Sequence, residues 1–269
     1  MPITDIVEVP NPTATSFRQI KEVQDIYVPD ITNLNISRRN GMIYALTGSG
    51  GSGKTNLLLN MFRSKKCYRN KFHHIYYFCP SSSFSSLEKH PFEKHEEVYH
   101  DLSVQNLENI YNELIFFKKG KKDEKKEKPE GKYDGDADEA SESDEEEEVQ
   151  YSCVIIDDYA DQLKDKGIQQ QLNKMLIKAR HLCCGFIFTL QSYFYMPKIL
   201  RKQLTYTTIF KPKALTEWYS IAEELLHLNR EDALKLFSYV FDKPYTHLDL
   251  DTTTNTIYKN FNLLKINQT

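Results

Sequence analysis

Residues 42–55 read Met42-Ile43-Tyr44-Ala45-Leu46-Thr47-Gly48-Ser49-Gly50-Gly51-Ser52-Gly53-Lys54-Thr55, and Asn56-Leu57-Leu58-Leu59-Asn60-Met61-Phe62 follow. The apolar run predicts a buried strand, the glycine-rich stretch a turn, and the Leu/Met/Phe spacing after it a helix to about Arg63. Gly48 to Thr55 fits G-x-x-x-x-G-K-S/T in the strand-turn-helix context that the pattern requires. In such a loop, Gly48, Ser49, Gly50, Gly51, Ser52 and Gly53 offer backbone N–H groups as an anion nest, and the helix behind it points its positive end at the phosphates. Lys54 is placed to reach the β and γ phosphates of ATP, and the Thr55 hydroxyl to join the shell of a Mg²⁺ ion. A Gly/Ser surface turn that matches by chance is the competing reading, and the flanking strand and helix weigh against it.

Downstream, Tyr151-Ser152-Cys153-Val154-Ile155-Ile156 reads as a strand ending in Asp157-Asp158. Two carboxylates at the end of a buried strand form the Walker B pattern. Asp157 would order the Mg²⁺ shell, and Asp158 would orient and deprotonate an attacking water. Capping of the next helix is the alternative use of these acids. One strand-helix-strand unit later, Gly185-Phe186-Ile187-Phe188-Thr189-Leu190 ends at Gln191. Parallel strands share the edge at which their C-terminal ends lie, so Gly48, Asp158 and Gln191 should converge there. The Gln191 amide could sense the water or the γ-phosphate, or simply face solvent. Arg180 closes the preceding helix and is placed by this reading near the rim of the site. It is a candidate finger inserted into a neighbouring subunit's site, and Arg201 competes for that role; interaction with the helix dipole is the plainer alternative.

The rest of the chain supplies an α/β pattern. Further strands are expected at 72–79 and 206–210, with an edge strand possible at 25–28. Helices are expected at 104–117, 161–180, 197–204, 215–227 and 230–241, and a hairpin pairs 247–250 with 256–259. These elements predict a RecA-like P-loop domain with a mainly parallel sheet, strand order 5-1-4-3-2, helices on both faces and a C-terminal hairpin extension. Residues 1–40, with Pro2, Pro10 and Pro12, read as an N-terminal extension and 41–269 as the nucleotide-binding domain.

At 40% hydrophobic residues over 269 positions the chain can bury a large core. No apolar run is long enough to span a bilayer. Five cysteines, mostly within apolar strand-like runs, suit a reducing compartment better than a disulfide framework, and His73-His74 near Cys79 makes a poor zinc template. The net charge of −3 is unevenly placed: residues 118–149 hold 8 Lys and 14 Asp or Glu, a balance of −6, which leaves the rest at +3. That segment has almost no apolar side chains and is expected to be a disordered surface insertion. Ser141 and Ser143 within it stand in acidic surroundings that suit an acidophilic kinase.

Taken in order, GSGGSGKT (48–55), CVIIDD (153–158), ARH (179–181), FTLQS (188–192) and PKILRKQ (197–203) resemble the genome-packaging ATPases of poxviruses, other large double-stranded DNA viruses and virophages, a branch of the FtsK-HerA superfamily of ring translocases. The resemblance runs from about Gly41 to Phe261, apart from the charged insertion. It implies a homo-oligomeric ring that threads double-stranded DNA, without reading its sequence, into a preformed capsid at a portal-vertex protein. It also implies residence in the virion and at cytoplasmic assembly sites of the host. In that family it implies Thr55 and Asp157 at the metal, Asp158 as the base, Gln191 as the sensor and Arg180 as the trans finger. The superfamily usually carries Glu where Asp158 stands, one methylene longer. Two other readings remain open: a nucleotide-gated adaptor with little turnover, and a small nucleoside or nucleotide kinase, for which no acceptor pocket or Arg-rich lid is evident.

Overall fold

The structure, a computed structural model, describes residues 3–9, 41–65, 67–81, 92, 97–123 and 150–268. Its centre is a parallel sheet. Strands β2 (Ile43–Thr47), β3 (His74–Phe78), β5 (Ser152–Asp157), β6 (Cys184–Leu190) and β7 (Tyr206–Phe210) lie in the order β7-β2-β6-β5-β3. This is the 5-1-4-3-2 order expected from the chain, with every neighbouring pair parallel. A two-residue strand β4 (Val98–Tyr99) adds to β3 at one edge. Beyond β7 the direction reverses: β8 (His247–Asp251) and β9 (Thr256–Lys259) form the expected hairpin, antiparallel to β7.

Two further strands complete a ten-stranded sheet. β10 (Asn262–Gln268) pairs with β9, and β1 (Ile3–Val9) pairs with β10, so segments from the two ends of the chain lie side by side. Neither was foreseen. The β1–β10 pairing joins residues some 260 positions apart and so leaves no local signature, because strand register is a property of the partner as much as of the segment. The edge strand expected at 25–28 lies outside the described residues, as do residues 124–149 of the charged insertion.

Both faces of the parallel strands are covered, which explains their continuous apolar runs. Along β2, Ile43 and Ala45 pack into one core while Met42, Tyr44 and Leu46 pack into the other, the alternation that a pleated strand dictates. Helix α1 (Lys54–Arg63) covers the second face with Leu57, Leu58, Leu59, Met61 and Phe62. The opposite face holds α2 (Val104–Asp123), α3 (Lys166–Ile177), the short α4 (Lys198–Arg201), α5 (Leu215–Leu226) and α6 (Arg230–Val240). Trp218 of α5 is fully buried there, its indole N–H donating to the Ala233 carbonyl at 2.6 Å.

The single helix expected over 161–180 is instead broken. A 3-10 turn at Gln162–Lys164 precedes Asp165, whose carboxylate accepts from the Ile168 N–H at 2.9 Å and caps α3. The apolar spacing continues through the break, which is why periodicity alone runs the two pieces together, while the cap fixes the restart. At its other end α3 stops at Ile177, and Lys178 to Cys183 turn into β6. All five cysteines are free thiols, four of them buried. No helix among the described residues is long and apolar enough to cross a membrane.

Gly41 leads into β2 at φ +79°, and a Cβ there would stand 2.6 Å from the Arg180 backbone nitrogen and 2.7 Å from its Cα. Those atoms are backbone and cannot swing away. Gly41→Ala is therefore expected to cost about 2 kcal/mol or more of stability, read as a lower urea midpoint, with no recovery when Arg180→Ala is added.

Candidate functional site: a phosphate loop facing a buried carboxylate

The phosphate loop sits where β2 gives way to α1. The Gly48 N–H donates to the Leu190 carbonyl at 3.0 Å, so the loop starts as a continuation of the β2–β6 ladder. Gly53 adopts φ +102° at the helix N-cap, a backbone that only glycine takes without strain. Lys54 folds back across the loop, its ammonium donating to the Gly48 carbonyl at 2.6 Å and the Ser49 carbonyl at 3.1 Å. Burial lowers its pKa, and the nearby charges of Asp158 and Asp157 oppose that shift. Thr55, half-buried, stands in the first turn of α1.

Across the edge from Lys54, Asp157 ends β5 at 3% exposure. Each of its oxygens is engaged. The Tyr77 hydroxyl of β3 donates to Oδ2 at 2.7 Å, and the Thr189 hydroxyl of β6 donates to Oδ1. Thr189 is the register partner of Asp157 and also accepts from the Asp158 N–H at 3.2 Å. Burial raises the Asp157 pKa, while the Thr189 and Tyr77 hydrogen bonds pull it back down; Asp158 raises it and Lys54 lowers it. Tyr77 is itself held well above the usual phenol value, first by burial and then by the Asp157 charge, so it stays a donor. Each carboxylate oxygen has a second lone pair, so these bonds orient Asp157 and leave it able to accept from a metal-bound water.

Asp158 is exposed and takes φ +62°, which turns its side chain off the strand axis. The Gln191 amide donates to Asp158 Oδ1 at 3.1 Å. The convergence of loop, carboxylates and glutamine expected from strand order is therefore present. Tyr77 and Thr189 belong to the same cluster and were missed, because a tyrosine or threonine inside an apolar strand carries no mark of which neighbouring strand it will face. Among the described residues no three His, Cys, Asp or Glu side chains form a protein-only metal site. A cation held by one hydroxyl, one carboxylate and substrate phosphates needs none, so Thr55 and Asp157 fit Mg²⁺ on donor chemistry.

The arginines differ from expectation. Arg180 is exposed and packs on Gly41, at the N-terminal edge of β2 and β6. It lies the length of a strand, roughly 20 Å, from its own phosphate loop, and not near the rim. The reason is directional: a helix that feeds a parallel strand must end at that strand's start, the edge opposite the site. Arg201 ends α4, which likewise leads into a parallel strand, β7, and its side chain is spoken for. Its guanidinium makes two bonds to Glu224, at 3.2 and 3.1 Å, and a third to the Met196 carbonyl at 3.0 Å, and it stacks over Tyr193 and Phe194.

The model of the poxvirus A32 protein family matches residues 35–214, well over half of the chain. The chain belongs to the poxvirus A32 protein family. No curated protein matches it. Among solved structures, B204, the DNA-packaging ATPase from Sulfolobus turreted icosahedral virus, superposes with a TM-score of 0.51 at 17% identity, covering 82% of this chain and 97% of that one. The pCW3 conjugation coupling protein TcpA, in a form with ATPγS, gives 0.54 at 13% identity over 96% of this chain and 65% of that one. ATPases 2 and 3 of EssC from Geobacillus thermodenitrificans give 0.56 at 14% identity over 98% and 48%. At these identities the likeness is one of fold, the RecA-like P-loop ATPase fold.

Because the Tyr77 hydrogen bond favours the ionised form of Asp157, its loss should move the Asp157 pKa further up. Tyr77→Phe is expected to shift the acid limb of the pH–rate profile for ATP hydrolysis to higher pH and to lower Tm, since it leaves a buried carboxylate oxygen without its donor. An unmoved acid limb would show that Tyr77 does not tune this carboxylate.

Proposed function

We propose that this protein is a viral genome-packaging NTPase: an ATP-driven motor that moves double-stranded DNA into a preformed capsid as a homo-oligomeric ring. The observation that carries the hydrolytic part is the Gln191–Asp158 contact beside a buried, oriented Asp157 and the loop lysine. A site that only bound nucleotide would need the loop; a second acid held by a glutamine at the sheet edge is what water activation needs. Membership of the poxvirus A32 family, and a fold shared with a DNA-packaging ATPase, support the packaging role.

In this reading Lys54 and the loop amides hold the triphosphate, and Thr55 and Asp157 would hold Mg²⁺, which neutralises the phosphate charge when bound. Asp158 takes the proton of the attacking water, and Gln191 fixes Asp158 before turnover and is free to follow the γ-phosphate afterwards. Arg180, on the far edge and exposed, can reach a phosphate only in another copy of the chain, which suits a trans finger. Arg201 would first have to leave Glu224. Basic groups facing a central pore would grip phosphates without reading bases. A capsid portal-vertex partner, and sites of action in the virion and the host cytoplasm, follow from the packaging role.

A nucleotide-gated adaptor is the second reading, favoured by one observation: the candidate base is the shorter Asp, already hydrogen-bonded to Gln191. ATP hydrolysis with and without double-stranded DNA, on protein of known oligomeric mass, separates the two. The motor gives DNA-stimulated turnover, and tight ATP binding without turnover in the presence of DNA would sink it. Asp158→Asn should keep ATP affinity and lower kcat by roughly a hundredfold or more. Near-normal hydrolysis by that variant would remove Asp158 from the mechanism.

A further inference from the structure

The sheet order gives the phosphate loop two unlike flanks. β6 and β5, with Gln191, Asp158 and Asp157, lie on one side of β2, and β7 followed by β8 lies on the other. A triphosphate whose terminal phosphate faces the acids must run its nucleoside end toward β7 and β8. There the structure has a cleft of about 410 Å³, lined on one wall by the loop from Ser49 to Ser52 and on the other by Pro212, Pro244, Tyr245 and Thr246. That volume falls within the range of small-molecule sites.

We propose that this cleft is the base subsite and that Tyr245 is its stacking platform for the base of a nucleoside triphosphate; the assignment rests on the phosphate-loop reading above. Tyr245 is 42% exposed, a large aromatic left open beside the loop. A Cβ on Gly53 would stand 3.5 Å from the Tyr245 ring and 3.6 Å from that of Phe210, so both rings border the start of α1. The backbone holds Tyr245 at φ +64°, a conformation a tyrosine seldom adopts. It is fixed from both sides: the Thr246 hydroxyl donates to the Lys243 carbonyl at 2.8 Å, and His247 exchanges two hydrogen bonds with Asn260, at 2.9 and 3.0 Å. The ring is therefore presented by an ordered turn. Lys211 and Lys213 also line the cleft and can donate to a base edge, while Tyr245 supplies the stacking surface beside the prolines. Neither the ring nor its turn touches the acids of the hydrolytic cluster, which makes nucleoside binding separable from phosphate binding.

Calorimetric titration of the full chain with ATP and with inorganic tripolyphosphate, both in Mg²⁺, tests this. For Tyr245→Ala, ATP affinity should fall about tenfold, in line with the loss of one aromatic–base stack, with tripolyphosphate affinity unchanged. Tyr245→Phe should retain ATP affinity, since the ring and not the hydroxyl is used. ATP binding unchanged in Tyr245→Ala would overturn the subsite, as would an equal loss of tripolyphosphate, which would mean that Tyr245 acts by shaping the loop. Failure of the phosphate-loop reading looks different: Lys54→Ala would then bind both ligands as well as the unsubstituted chain does.

Discussion

A carboxylate out of reach of water is costly unless its oxygens are hydrogen-bonded, and Asp157 meets that condition only because three strands arrive in one register. β3 brings Tyr77 and β6 brings Thr189, one to each oxygen. A slip of either strand by one residue would turn these side chains to the opposite face and leave the acid buried and unpaired. The parallel core and the chemistry of the site are thus a single constraint. The same register brings Gln191 to Asp158 and lets the Gly48 N–H continue the β2–β6 ladder into the loop.

Around that line of strands the molecule has two flanks with different tasks. The β5–β6 side concentrates negative charge and hydrogen-bonding groups that can handle water and a terminal phosphate. The β7–β8 side offers Tyr245, Phe210 and two prolines beside the loop, together with the basic side chains Lys211 and Lys213. The antiparallel extension does more than lengthen the sheet: β8 follows the turn that carries Tyr245, and β9, β10 and β1 pair on in succession beyond it. The position of Arg180 adds a polarity between the two edges. A guanidinium at the N-terminal edge and a phosphate loop at the C-terminal edge cannot meet within one copy, so any chemistry joining them is intermolecular.

The glycine-rich loop, the acid pair Asp157-Asp158 and the strand order could be read from the residues because each rests on a local rule. Phosphate loops need small residues at set spacing, buried strands need unbroken apolar runs, and parallel connections restrict the order in which strands can lie. Helix ends were less legible: the same apolar period runs through Asp165, and only the cap and the 3-10 turn show that the helix restarts there. The rim placement of Arg180 failed for a topological reason, since nearness in sequence to a site strand says nothing about which end of that strand is meant.

By itself the sequence determined that the chain has a phosphate-binding strand-loop-helix, a second buried strand ending in two acids and a third ending in an amide, set in a five-stranded parallel core. Tertiary structure decided the rest: that Tyr77 and Thr189 hold Asp157, that Arg201 is committed to Glu224 while Arg180 faces away from its own site, and that β1 closes on β10. Those outcomes depend on cross-strand register, helix direction and contacts between distant segments. Such contacts are set when elements pack, and no window of sequence around any one of these residues contains the partner that gives it its role.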